Sequence, residues 1–358
     1  MEILLMLSAL FIGFILTIIA VPPILRVARA KKMFDINGGR KIHKQVVPPL
    51  GGVAIFIGFV LSTIFFTDGL SFDSLKYIIA AIILLFFIGL KDDLLTISAR
   101  KKFIVQFLSA IILVSFTNLR FTNLHGMFGI HEVNYFVGFI ISLFATLVFI
   151  NAYNLIDGID GLASGLGILA GTVLGVMFYL SDNAQFAIMS FALVGSLSGF
   201  FLYNVFGKTN KLFMGDTGSL IVGLVISALV IKFNEIHYLS SAHIKFQSPV
   251  FTFAVVIVPL IDTLRVITIR ILQGKSPFFA DNNHIHHRLL YLFPSHIKVT
   301  LIIIEVNILI IGLALHLNAL SLNINIQFAI ILLVGVLTSF IPSYLLNTNI
   351  SNQSRVPV

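Results

Sequence analysis

The sequence predicts an all-α polytopic membrane protein of about 11 transmembrane helices with a reactive face on one side of the bilayer. Three observations carry that expectation. Of 358 residues, 58% are hydrophobic and 11% charged, with a mean hydropathy of +1.04. A soluble domain has roughly 45–50% apolar and about 25% charged residues. The apolar residues come in long runs without strand-like alternation, which argues against a transmembrane β-barrel. Cysteine is absent, which excludes a disulfide scaffold. A soluble enzyme and a disordered chain are excluded by the same composition. The net charge of +8 then bears on membrane orientation and anionic substrates, and no nucleic-acid partner is expected.

A helix needs about 20 mostly apolar residues to cross the hydrocarbon. Runs at 3–21, 50–67, 77–90, 103–117, 135–155, 161–181, 186–206, 217–231, 248–264, 299–316 and 325–346 meet or approach that length. The runs at 77–90 and 103–117 are short, and Lys91 and Lys102 at their ends reach the interface by snorkelling. No A-x-A-like site follows the first run, so no cleavable signal peptide is expected. A single membrane domain therefore covers 1–346, with a polar tail over 347–358. The loops at 22–49, 91–102, 157–160, 207–216 and 265–298, with the C-terminus, hold 19 Lys and Arg against 4 in the alternate loops. That asymmetry places those loops and the tail in the cytoplasm and the N-terminus outside.

The acids divide unevenly between the two sides. Asp35, Asp92, Asp93, Asp157, Asp160, Asp216, Asp262 and Asp281 lie in or beside the cytoplasmic loops, whereas Glu2, Glu132 and Glu235 lie opposite. A short carboxylate with few rotamers suits a metal or phosphate site, where position matters more than reach. Asp92 and Asp93 end an apolar run. Adjacent helical residues point about 100° apart, so the two carboxylates are expected to do different jobs. Asn151, Asn154 and Asp157 recur at i, i+3, i+6 along one side of a helix leaving the membrane, and Gly158 and Gly161 bracket Asp160 in a turn. In Phe213-Met-Gly-Asp-Thr-Gly-Ser219 the polar residues are either helix N-caps or oxygen ligands for Mg²⁺ beside a phosphate. Asp281-Asn-Asn-His-Ile-His-His-Arg288 clusters His284, His286, His287 and Arg288 without cysteine, which suits a pyrophosphate better than zinc. The basic stretch with His43 and Lys44, ahead of Pro48-Pro-Leu-Gly-Gly52, reads as a positive-inside anchor or as a shaped loop feeding a span.

Oxygen ligands, cationic clamps and no cysteine at one face fit phosphoryl transfer. The chain carries neither a P-loop nor a kinase glycine-rich motif, so a soluble nucleotide-activated donor joined to a lipid phosphate is the expected reaction. An ion-coupled transporter would instead place acids near the bilayer midplane, whereas the acids here gather at one face and only Asp262 and Glu305 fall within spans, both toward the cytoplasmic ends.

Taken in order, RKIHKQVVPPLGG, KDDLL, NAYNLIDGIDGLA, FMGDTGS and DNNHIHHRL resemble the polyprenyl-phosphate N-acetylhexosamine-1-phosphate transferase family. The HIHHRL form is similar to the bacterial branch that uses UDP-N-acetylglucosamine. The resemblance implies a multi-pass enzyme of the bacterial cytoplasmic membrane. It would move N-acetylhexosamine 1-phosphate from a UDP-N-acetylhexosamine to undecaprenyl phosphate, releasing UMP and starting a cell-envelope glycan. By the match, Asn154 and Asp216 would hold Mg²⁺, with Mn²⁺ as a substitute. Asp92 or Asp93 would orient or deprotonate the lipid phosphate. Lys102, His284, His286 and Arg288, beside His287, would neutralise the pyrophosphate. Asp157 and Asp160, with Asn151, would shape the nucleotide and metal surroundings, and His43 and Lys44 would line the loop near the lipid or nucleotide. The family often forms homodimers through its membrane helices.

Overall fold

The computed structural model describes residues 1–31, 47–69, 72–236, 238–239, 244–245, 248–275 and 283–353. His43, Lys44, Asp35 and Asp281 lie outside the described residues. Within them the chain forms 13 α-helices and two small antiparallel hairpins.

Every expected apolar run is helical. In chain order the helices are α1 (Glu2–Ala30), α2 (Gly51–Phe66), α3 (Leu75–Leu94), α4 (Ala99–Phe116), α5 (Tyr135–Ile156), α6 (Leu162–Leu180), α7 (Ala184–Phe206) and α8 (Gly215–Asn234). They continue with α9 (Ser248–Val255), α10 (Ile257–Leu272), α11 (Ile285–Leu292), α12 (His296–Ala319) and α13 (Ile324–Gln353). Seven of these are long and apolar enough to cross a membrane, and α9 with α10 makes an eighth if the bent pair is one span. Helix α2 is apolar but has 16 residues, and α3 and α4 carry charged ends. The chain is thus an all-α polytopic membrane protein in which seven or eight helices meet the length and composition of a full crossing, and the expected count of eleven is not confirmed.

Two boundaries differ from the sequence reading. The run at 248–264 bends by 73° at Val256, and its second half continues to Leu272. Pro259 explains the break, because it has no N–H to donate to the Val255 carbonyl one turn earlier and its ring crowds that carbonyl. Asn307 of α12 donates to the nearby Ala254 carbonyl at 3.0 Å, satisfying a backbone group exposed by the bend. At the C-terminus, α13 runs to Gln353, so much of the expected tail is helical.

Helix α8 is the centre of the bundle. Nearly every residue from Thr217 to Asn234 is buried, and α2, α3, α5 and α6 pack around it. Phe11 and Ile19 of α1, Leu309 of α12 and Leu333 and Leu337 of α13 stay exposed, as expected of helices whose outer faces meet lipid rather than water. The start of α8 is held at backbone contact: a Cβ at Gly52 would strike the Gly218 backbone, and one at Gly89 the Thr217 backbone. Segment 213–214 also pairs with 48–52, through Phe213 N to Pro48 O (3.1 Å), Gly51 N to Phe213 O (2.8 Å) and Gly52 N to Met214 O (2.9 Å). The FMGDTGS turn is therefore fixed from two sides before any ligand arrives.

Candidate active site

The ends of α3 and α5, the turn after α5 and the start of α8 enclose a cavity of about 890 Å³. Asp92, Asp93, Asn154, Asp157, Asp160 and Asp216 all line it. The positions with the strongest polar spacing in the sequence thus meet in one place.

Asp216 is the hub. Gly215 before it takes φ +70, a left-handed conformation that glycine adopts without steric cost. The Lys102 ammonium of α4 lies 2.6 Å from Asp216 Oδ2 and 3.3 Å from Asp92 Oδ2. Asn154 donates its amide to Asp216 Oδ1 and, at 2.9 Å, to Ser219 Oγ.

The adjacent pair does divide its work. Asp93 accepts from Asp216 N (2.7 Å), Thr217 N (3.0 Å) and Thr217 Oγ1 (2.5 Å). It caps α8 from another helix, where Met214 at the N-cap position has no side-chain bond to give. Burial pushes its carboxyl up to about 7 against these three hydrogen bonds. Asp92 instead accepts from Ile97 N at 2.8 Å and turns its second oxygen to Lys102. Of the two, Asp92 is the one that pairs with a cation at the cavity.

Asp157 ends α5 and has no hydrogen-bond or ion-pair partner among the described residues. Burial, and then the charges of Asp216, Asp93 and Asp160, push its carboxyl well above the usual carboxylate range. Asp160 is held by Lys211 (2.6 Å) and His296 (2.9 Å) on a single oxygen. Neither partner was anticipated as a site residue. They lie 51 and 136 positions from Asp160, and no local spacing links them.

Several expected contacts fall elsewhere. Asn151 donates to Gln106 Oε1 (3.0 Å) and Leu147 O (2.8 Å) and does not line the cavity. Each step of three falls about 60° short of a turn, so Asn151 sits about 120° round the helix from Asp157. The histidine segment is also behind the wall. His284 and His286 are buried, His287 and Arg288 partly so, and none of the four lines the cavity. His284 Nδ1 lies 2.8 Å from Asp262 Oδ2, and Arg288 donates to Asn283 Oδ1 at 3.0 Å. Among the described residues His296 lines the cavity, and Lys102 and Lys211 border it through their ion pairs with Asp216 and Asp160.

The oxygen-rich donor set fits a hard divalent cation. Mg²⁺ keeps several waters and takes one or two carboxylates plus substrate phosphates. No group of three or more His, Asp or Glu converges as a complete metal cage among the described residues, so substrate oxygens would have to finish the shell.

Residues 75–234, from the start of α3 to the end of α8, match the family model of glycosyl transferase family 4. The chain is 32% identical over 303 residues to the "Probable undecaprenyl-phosphate N-acetylglucosaminyl 1-phosphate transferase" of Bacillus subtilis, covering 82% of this chain and 80% of that one. It is 30% identical over 317 residues to the "Undecaprenyl-phosphate alpha-N-acetylglucosaminyl 1-phosphate transferase" of Salmonella typhi, covering 86% and 83%. A Yersinia pestis protein of the latter name is 30% identical over 261 residues, covering 72% and 69%. The chain belongs to glycosyl transferase family 4. The family match spans Asp92, Asp93, Lys102, Asn154, Asp157, Asp160 and Asp216 but ends before Asp262 and His284. The C-terminal wall, which supplies His296 to Asp160, lies beyond it. As a member of this family the chain is a membrane-embedded sugar-1-phosphate transferase.

Proposed function

We propose that the enzyme transfers N-acetylglucosamine 1-phosphate from UDP-N-acetylglucosamine to undecaprenyl phosphate. The observation that carries this reading is Asp216, shared by Lys102 and Asn154 at the floor of a cavity that also holds the unpartnered Asp157. The names of the relatives supply the acceptor and the sugar.

In the proposed reaction an oxygen of the lipid phosphate attacks the donor phosphorus that bears the sugar. The bond from that phosphorus to the bridging oxygen breaks, and UMP leaves with the bond's electron pair. Charge stabilisation and alignment carry most of such a reaction. Asp92 orients the incoming phosphate, and Lys102 between Asp92 and Asp216 neutralises the charge gathering there. Asp216, Asp157 and Asn154 would hold Mg²⁺, which when bound polarises the pyrophosphate. Asp160, fastened by Lys211 and His296, keeps the far wall in place.

Radiolabel from UDP-N-acetylglucosamine is expected to enter undecaprenyl phosphate in detergent, to disappear with EDTA and to return with Mg²⁺ or Mn²⁺. Transfer from a different UDP-amino sugar alone would change the donor, and activity unaffected by EDTA would remove the metal.

The cavity faces the cytoplasm of a bacterial inner membrane in this reading, supported by the Lys and Arg asymmetry. The cysteine-free chain makes the orientation directly testable. Phe128, at the tip of the first hairpin, and Lys208, between α7 and α8, are exposed. In right-side-out cells a membrane-impermeant maleimide is expected to label Phe128→Cys, and Lys208→Cys only after permeabilisation. The reverse pattern would invert the topology.

A further inference from the structure

Behind the cavity lies a second polar cluster that the proposed chemistry does not use. Asp262 on α10 is 1% exposed, a costly place for a carboxylate unless it is fully partnered. It is: Oδ2 faces His284 Nδ1 at 2.8 Å, Oδ1 accepts from Ile285 N at 2.8 Å, and Arg265 lies 3.6 Å away. Arg265 also donates to the Asn283 carbonyl and, at 3.4 Å, to Ser343 of α13. One carboxylate thereby fixes the first residue of α11 and the imidazole just before it.

Two residues on, His286 is fully buried, and neither ring nitrogen has a hydrogen-bond partner among the described residues. Burial holds its imidazole down to about 3, so the ring is neutral. An unpartnered buried imidazole calls for a reason. Its place supplies one, since a Cβ at Gly158 would land on His286 Nε2. The ring lies directly beneath the turn that carries Asp157 and Asp160 into the cavity.

We propose that Asp262 is a positioning residue for the transferase site, setting α11 through His284 so that His286 props the Asp157–Asp160 turn from behind. The histidine motif then acts on the carboxylates rather than on the pyrophosphate. The kinetic part of this inference rests on the transferase reading; the structural part does not.

The test is a double-mutant cycle with a local structural readout, using full-length enzyme in detergent. Asp262→Asn and His284→Gln are each expected to lower kcat by about 10- to 100-fold, the range for residues that orient a reacting group through another. The double variant is expected to lose no more than the worse single one. In parallel, hydrogen exchange of the amides of 157–161 is expected to accelerate in Asp262→Asn, with the exchange of α8 unchanged. Additive losses in the cycle would overturn the route through His284. Unchanged exchange at 157–161 beside a kinetic loss would overturn the prop and return the histidines to substrate contact. Exchange accelerated equally throughout α8 would reduce Asp262 to a general stability residue. If the wild type transferred no amino sugar at all, the reaction assignment would fail, while the exchange comparison would still decide this one.

Discussion

Asp216→Ala is expected to abolish transfer, with a fall in kcat on the order of 10³-fold or more, because three roles end together. The proposed metal loses its central carboxylate, Lys102 loses its closer partner at 2.6 Å, and the Asn154 amide keeps only Ser219. Folding is expected to survive, since the backbone bonds of segment 213–214 to 48–52 and the capping by Asp93 do not use the Asp216 side chain. The measurement is kcat under saturating donor and acceptor, with the apparent melting temperature as control. A variant that keeps more than a tenth of wild-type turnover would remove Asp216 from the centre of the chemistry.

Asp93→Ala is expected to be as inactive as Asp216→Ala, for a different reason. It strips the acceptor from two backbone N–H groups and one hydroxyl at the buried start of α8. Unsatisfied buried donors cost about 1–3 kcal/mol each, so the total is several kcal/mol and the apparent melting temperature falls. Its neighbour should behave otherwise. Asp92→Ala leaves only Ile97 N without its acceptor, so the melting temperature stays near that of the wild type while kcat drops by about 10²- to 10³-fold. Equal thermal stability of the two variants would show that the adjacent acids do not divide capping and chemistry as the geometry assigns them.

That division was half legible in the sequence. Two neighbouring carboxylates on a helix cannot point the same way, so two jobs were expected. Which residue took which depended on where the start of α8 lies, more than 120 positions away. The carboxylates and Asn154 were found from spacing because polar residues leaving an apolar run are expensive and therefore informative. Asn151 fell away because a three-residue repeat drifts round the helix, and the partner that claims it, Gln106, belongs to α4. His296 and Lys211 carried no local signal, since their importance lies wholly in meeting Asp160.

Composition and periodicity by themselves determined the class of molecule, the helical runs, and the acids that gather at one face, because burying apolar surface and avoiding buried charge are local, residue-by-residue constraints. The tertiary structure alone decided which of those acids faces the cavity, which caps a helix and which anchors the histidine motif. It did so because a carboxylate takes its role from the donors that reach it. Here those donors come from α4, from α8 and from the chain between α10 and α11, segments that only the folded bundle brings together.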